Sequence, residues 1–147
     1  YNARFGDPEA INLLALLRTD FASICNDIVD GNLTSVNFSN DASVCKYVVP
    51  KGYGSNPAKD ATLVVDESYS KYSDLYYAAV NLNKEGIITT TSSRAAAIVS
   101  TGKSIKEAEE RCENGLSFIS GKNLFTRHDI GKAELIQKRI NHMESLR

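Results

Sequence analysis

Apolar residues recur at Ile11, Leu14 and Ala15, with Leu13, Leu16 and Leu17 widening the stripe. That spacing predicts a helix buried on more than one side, ending near Arg18 and Thr19. Asp20 is placed to cap a second helix in which Phe21, Ile24, Cys25, Ile28 and Val29 repeat at helical spacing, and Gly31 with Asn32 supplies its stop. Residues 33–42 are rich in Asn, Ser, Thr and Asp with little apolar periodicity, which predicts a linker and a boundary near residue 35. Beyond it the pattern changes to short β-prone runs at 43–49, 62–66, 75–81, 87–91 and 95–100. Turn signals separate them, so an antiparallel sheet is expected. Ser104 and Glu107 read as a capping box opening a helix with Ile105, Ala108, Cys112 and Leu116 on one face. Its charges, Glu109, Glu110, Arg111 and Glu113, read as a solvated face. A short extended piece at Leu124 and Phe125 precedes a last helix carrying Ile136, Ile140 and Met143. The fold class is α+β, a small mainly antiparallel sheet with flanking helices.

Composition narrows the picture. The 147 residues suffice for one core, or for one domain plus a piece of another, and 42% apolar with 24% charged residues is ordinary for a soluble globular chain. With 17 basic and 18 acidic side chains, long-range attraction favours neither nucleic acid nor an anionic membrane. No apolar stretch is long enough to span a bilayer, and the cytoplasm is the expected compartment. Cys25, Cys45 and Cys112 are odd in number, widely spaced and set among apolar neighbours, so they read as core residues. The Tyr69, Tyr72, Tyr76 and Tyr77 cluster reads as hairpin packing, since no basic residues interleave it to make a base-stacking surface. Nucleophile elbows and glycine-rich phosphate loops are absent from the sequence, so most of any ATP site lies elsewhere.

Candidate chemistry gathers at the opening run Asn2, Ala3, Arg4, Phe5, Gly6, Asp7, Pro8, Glu9. If this run is extended, Asn2 and Arg4 share a face. An amide oxygen is a hard ligand for Mg²⁺, and a guanidinium holds phosphate or carboxylate through paired hydrogen bonds. Together they suit phosphoryl chemistry. Gly6 frees the turn, Asp7 is a candidate helix cap, and Pro8 fits a first helical turn.

The run N-x-R-F-G-D-P-E resembles the motif that closes the ATP-grasp domain in the phosphoribosylamine–glycine ligase family. In that family a glutamate precedes it, giving Glu-x-Asn; here Tyr1 fills the x position and the glutamate is expected just before the chain. Lys51, Gly52, Tyr53 and Gly54 resemble the family's glycine-tyrosine turn, and Tyr76, Tyr77 and Ala78 resemble a later strand, with Ala79 where a glycine is common. Thr91, Ser92, Ser93 and Arg94 correspond to a glycine-glycine-arginine turn in which the arginine is kept. Arg127, His128, Asp129, Ile130 and Gly131 resemble the closing R-x-D-I-G.

The resemblance implies the end of an ATP-grasp domain over residues 1–34, a strand and two helices, followed by a carboxy-terminal α+β domain over 35–147. It also implies a reaction in which ATP phosphorylates glycine and the amine of 5-phosphoribosylamine displaces phosphate to form an amide, with Mg²⁺ or Mn²⁺ as cofactor. Carried over residue by residue, Asn2 is the metal ligand, or a strand-end residue bonded to backbone. Arg4 is the catalytic cation on the transferred phosphoryl or the glycyl carboxylate, or an ion-pair partner of Asp7 or Glu9. Asp7 meets the substrate amine or only caps its helix. Arg94 contacts substrate phosphate or is an exposed turn residue. Arg127 and Asp129 are expected to pair with each other, and His128 to lie on the surface without a partner. The implied partners are the three small substrates and an amino-terminal remainder of the same enzyme, without nucleic acid or membrane, and this stretch alone is expected to be inactive. Another ATP-grasp ligase or carboxylase, or a non-catalytic module, is the competing reading.

Overall fold

The longest strand among the described residues, β1 (Ala42–Pro50), has apolar residues on both faces because it is covered on both sides. The computed structural model describes residues 3–146. β1 pairs antiparallel with β6 (Ala96–Gly102), Val44 opposite Ser100, Lys46 opposite Ile98 and Val48 opposite Ala96. β3 (Asp74–Tyr77) joins the far side of β6 and β8 (Leu124–Thr126) the far side of β1, giving the order β3-β6-β1-β8. A second antiparallel sheet has the order β4-β5-β2-β7, from β4 (Val80–Leu82), β5 (Ile88–Thr90), β2 (Thr62–Val65) and β7 (Ile119–Ser120). The α+β class therefore stands, with two sheets where one was expected.

The run 75–81 divides between them. Ala78 and Ala79 donate backbone hydrogen bonds to the carbonyls of Ala95 and Arg94, and past this point the chain leaves the first sheet for the second. β7 was not expected, since two residues carry too little pattern to read.

Period two sorts β1 into faces. Val44 and Val48, with Ala96 and Ile98 of β6, pack beneath Ala108, Cys112 and Leu116 of helix α3 (Ile105–Leu116). Cys45, with Ala97 and Val99, packs on the other face beneath Ile11 and Ala15 of α1 (Glu9–Leu16). α1 buries one stripe only: Leu13 and Leu14 are each 43% exposed, which corrects the expectation of burial on more than one side. Pro8, not Asp7, occupies its cap position, without a side-chain cap bond. Ala3 and Arg4 form a bend where an extended strand end was expected.

Helix α2 (Phe21–Val29) starts as expected, with the Asp20 carboxylate accepting from Ser23 N at 2.8 Å. Cys25 is exposed, contrary to the core assignment, whereas Cys45 and Cys112 are buried. In α3, Ser104 caps Glu107 N, and the Glu107 carboxylate reaches back to Lys103 N. Helix α4 (Ala133–Glu144) ends the chain with Ile140 and Met143 exposed. Among the tyrosines, Tyr69 packs on the core and Tyr72 stacks on Phe118 at 5.9 Å, while Tyr76 and Tyr77 stay half exposed.

One position on the α3-facing side of β1 breaks the apolar pattern. Lys46 is 1% exposed, and its ammonium meets Glu109 Oε1 at 2.7 Å, Glu113 Oε1 and the His128 carbonyl at 3.1 Å. Glu113 also accepts from His128 Nδ1 at 2.8 Å, and Glu109 lies 3.5 Å from Lys132. These contacts correct two expectations: the α3 charges are partly an interior network, and His128 has a partner. Burial pushes the Lys46 ammonium down, but the two carboxylates more than offset it and hold it above its ordinary value of 10.5. Burial pushes Glu113 up, and the hydrogen bonds from Lys46 and His128 outweigh that, leaving its carboxyl below its ordinary 4.5.

A carboxylate lowered on folding contributes stability that is present above its unfolded value and lost as pH falls through the folded one. Urea midpoints should therefore drop below about pH 4.5 as Glu113 is protonated, and drop again above about pH 10.5 as Lys46 loses its proton. Lys46→Met, which leaves Glu113 only His128 and Glu109 only the more distant Lys132, should cost up to about 3–5 kcal/mol and weaken the Glu113 part of that acid transition. In α3, Gly115→Ala would gain helix propensity, but its Cβ would sit 2.3 Å from Ser73 Oγ and 2.9 Å from Ile98 Cδ1. Ser73 Oγ is itself held by Ser100 Oγ at 2.6 Å in the interior, so crowding wins over a propensity gain of about 1 kcal/mol and thermal melting should show net destabilisation.

Candidate functional site

The other face of β1 carries Tyr47, whose side chain reaches out beside the start of α1. There the fold brings together two of the residues expected at a substrate site. Asp7 Oδ2 accepts from Arg94 Nη1 at 2.8 Å, across 87 residues of sequence, and Asp7 Oδ1 accepts from the Tyr47 hydroxyl. The Arg94 guanidinium carbon lies 5.0 Å from the centre of the Tyr47 ring and 6.0 Å from that of Tyr53. A guanidinium over aromatic faces is attracted by their quadrupoles, so the two tyrosines add to the hold of the carboxylate.

Local structure explains the convergence. Arg94 ends the turn after β5, where Ser93 N donates to Thr91 Oγ1, and its carbonyl is tied to Ala79 N. Tyr53 sits on the turn after β1, in which Gly52 adopts φ +80° and an added Cβ would fall 2.2 Å from the Asn56 carbonyl oxygen. Only glycine fits there, and the tight turn sets Tyr53 beside the sheet end. Asp7 arrives because α1 packs on the Cys45 face of β1.

Tyr47, Tyr53 and Arg94 line an open cleft of about 390 Å³ with Pro8, Val49, Phe125, Arg127 and Ile130. Its walls are apolar and aromatic, and the charged side chains that reach it are Arg94 and Arg127, since the Lys46 ammonium is turned to the α3 side. Arg127 is bound in a two-pronged pair to Asp129, Nε to Oδ1 at 3.0 Å and Nη2 to Oδ2 at 2.6 Å, as the sequence suggested. Arg94 is the cleft cation whose carboxylate partner comes from the opening motif; its side chain is 35% exposed, against 54% for Arg127. Cys45 also borders the cleft, but burial pushes its thiol up to about 12, so it is no nucleophile near neutral pH. Burial first and the Asp7 carboxylate second push the Tyr47 phenol well above its ordinary 10, so it stays protonated and donates.

The remaining expected site residues stand apart. Arg4 is exposed and donates to the Phe5 carbonyl at 2.8 Å, and among the described residues it pairs with neither Asp7 nor Glu9. Asn2 lies outside the described residues. No group of three or more His, Cys, Asp or Glu among the described residues is placed to hold a metal, and both oxygens of Asp7 are engaged by Tyr47 and Arg94. Among the described helices none is long and apolar enough to cross a membrane.

Sequence reading missed Tyr47 and Lys46. Lys46 had a visible signal, a charge in the middle of a strand whose neighbours at i−2 and i+2 are valines. Tyr47 had none, because an aromatic in a strand is the ordinary case.

Comparison with known proteins adds the family. Residues 43–133 match the family described as phosphoribosylglycinamide synthetase, C domain. The phosphoribosylamine–glycine ligase of Methanocella arvoryzae is 53% identical, aligned over 100% of this chain and 34% of its own length. That of Methanothermobacter thermautotrophicus is 50% identical over the same shares. The chain thus spans about a third of the length of the curated relatives it matches. A crystal structure of phosphoribosylamine–glycine ligase from Thermotoga maritima superimposes with a TM-score of 0.71 at 20% identity, covering 88% of this chain and 32% of that one, and so shares its fold. On the match across 43–133, this chain belongs to the phosphoribosylglycinamide synthetase C-domain family.

Proposed function

We propose that the chain forms the carboxy-terminal part of an ATP-dependent ligase that joins glycine to 5-phosphoribosylamine through a glycyl phosphate, releasing ADP and phosphate in purine biosynthesis. The observation that carries this reading is the meeting of Asp7, from the opening motif, with Arg94, from the turn that resembles the family's arginine turn. Two stretches far apart in sequence, each matched to the family on its own residues, converge on one cleft.

In this reading residues 1–34 end the ATP-grasp domain and residues 35–147 form the carboxy-terminal domain. Arg94 receives the phosphate of 5-phosphoribosylamine, because a guanidinium offers paired donors to a phosphate. Asp7 accepts from the substrate amine through a lone pair left free by Tyr47 and Arg94. Arg4 steadies the transferred phosphoryl, which carries negative charge through the transition state. Asn2 supplies one amide oxygen to Mg²⁺ or Mn²⁺, which offsets phosphate charge; the rest of that metal's ligands would come from outside this chain. The substrate partners are small molecules, and the cytoplasm is the compartment this chemistry suits.

Steady-state assay of the longer polypeptide carrying this chain tests the proposal. Asn2→Ala should raise the Mg²⁺ concentration needed for half-maximal turnover by about 10-fold or more, and unchanged turnover at limiting Mg²⁺ removes Asn2 from the mechanism. Arg4→Ala should lower kcat by about 10²-fold with little change in the KM for glycine. Residues 1–147 alone should bind Mg·ATP no tighter than about 1 mM by calorimetry, and tight binding would contradict the assignment of the nucleotide site to the remainder.

A further inference from the structure

Among the described residues, Tyr47 touches both members of the Asp7–Arg94 pair. Its hydroxyl donates to Asp7 Oδ1 while its ring lies under the Arg94 guanidinium at 5.0 Å. The tyrosine is itself well anchored. It sits mid-strand in β1, opposite Ala97 of β6, whose small side chain leaves the ring room beside Ile11 and Ala15 of α1.

The ion pair it serves is accessible, with Arg94 35% and Asp7 49% exposed. An exposed pair is weak by itself and leaves two flexible side chains free to part. Asp7 also has an alternative, since it directly precedes Pro8, the cap position of α1, and that helix start has no side-chain cap. Engaging Asp7 Oδ1 with the phenol draws the carboxylate away from the helix start and toward Arg94. Among the described residues, the Arg94 side chain donates one hydrogen bond, to Asp7, so further donors remain for an anion.

We propose that Tyr47 is a positioning residue of the proposed ligase, holding the Asp7 carboxylate and the Arg94 guanidinium as a preassembled pair that receives 5-phosphoribosylamine. The inference rests on the function proposed above. The phenol keeps Asp7 where the substrate amine arrives, and the ring holds the guanidinium at the cleft wall so that a phosphate meets it already positioned. Tyr47 itself need not touch substrate.

The two parts of the tyrosine can be separated. In the longer polypeptide, Tyr47→Phe keeps the ring and removes the hydroxyl, and Tyr47→Leu removes both. Tyr47→Phe should raise the KM for 5-phosphoribosylamine by about 3–10-fold, the loss of one hydrogen bond, with the KM values for ATP and glycine unchanged. Tyr47→Leu should raise it by a further few-fold through the lost stacking. A role confined to folding would instead lower the melting temperature and affect all three substrates alike, and that result, or an unchanged KM in both variants, overturns the proposal.

A readout independent of turnover is the Arg94 Nε–H signal of ¹⁵N-arginine-labelled polypeptide. It should be sharp in the wild type, displaced in Tyr47→Phe and broadened in Tyr47→Leu. An unchanged signal in both variants overturns the positioning role, whatever the kinetics. If the wild-type polypeptide shows no ligase turnover, the ligase reading fails by itself and the arginine signal alone decides whether Tyr47 holds the pair.

Discussion

The buried ammonium of Lys46 is the constraint around which the first sheet and its covering helix are arranged. An amine taken out of water is costly, and it is tolerated here because Glu109, Glu113 and the His128 carbonyl all accept from it. Those partners come from α3 and from the segment between β8 and α4, so one side chain ties a central strand to two later elements. Ion clusters of this kind are weak contributors to net stability compared with well-packed apolar groups. Their stronger effect is on register: a one-residue slip of β1 would turn Lys46 to the α1 face, away from both carboxylates.

Register matters because β1 has different work on its two faces. The Val44, Lys46 and Val48 side is closed under α3 and only holds the domain together. The Cys45 and Tyr47 side lies against α1 and borders the cleft in which Asp7 and Arg94 meet. Locking Lys46 on one side therefore locks Tyr47 on the other, since successive side chains in a strand must alternate. The interior ion cluster and the exposed ion pair are thus linked through one residue step of backbone.

The cleft is an open wall rather than an enclosed chamber, with the Arg94 guanidinium lying over the rings of Tyr47 and Tyr53. Relatives aligned over this whole chain are about three times as long. A wall that presents a guanidinium against two tyrosines, with donors of that guanidinium still open, has the chemistry to hold a small anion. Exposed apolar residues on the two first helices, such as Leu13, Leu14, Ile28 and Val29, show how much of α1 and α2 is left uncovered in this stretch.

The sequence by itself determined the helices, the main strands and the likeness of its opening and closing motifs to one ligase family. These rest on local signals: the Asp20 and Ser104 caps, the 3.6-residue stripe of α3 and the alternation of β1. It also contained the pairing of Arg127 with Asp129, which are two residues apart. Tertiary structure alone decided that Asp7 leaves its helix start for Tyr47 and Arg94, that Glu109 and Glu113 face inward to Lys46, and that the strand after Asp74 splits between two sheets. Each of these depends on partners tens of residues away, and no local propensity can name a partner; only the packing of α1 and α3 on opposite faces of one strand brings such groups within hydrogen-bond range.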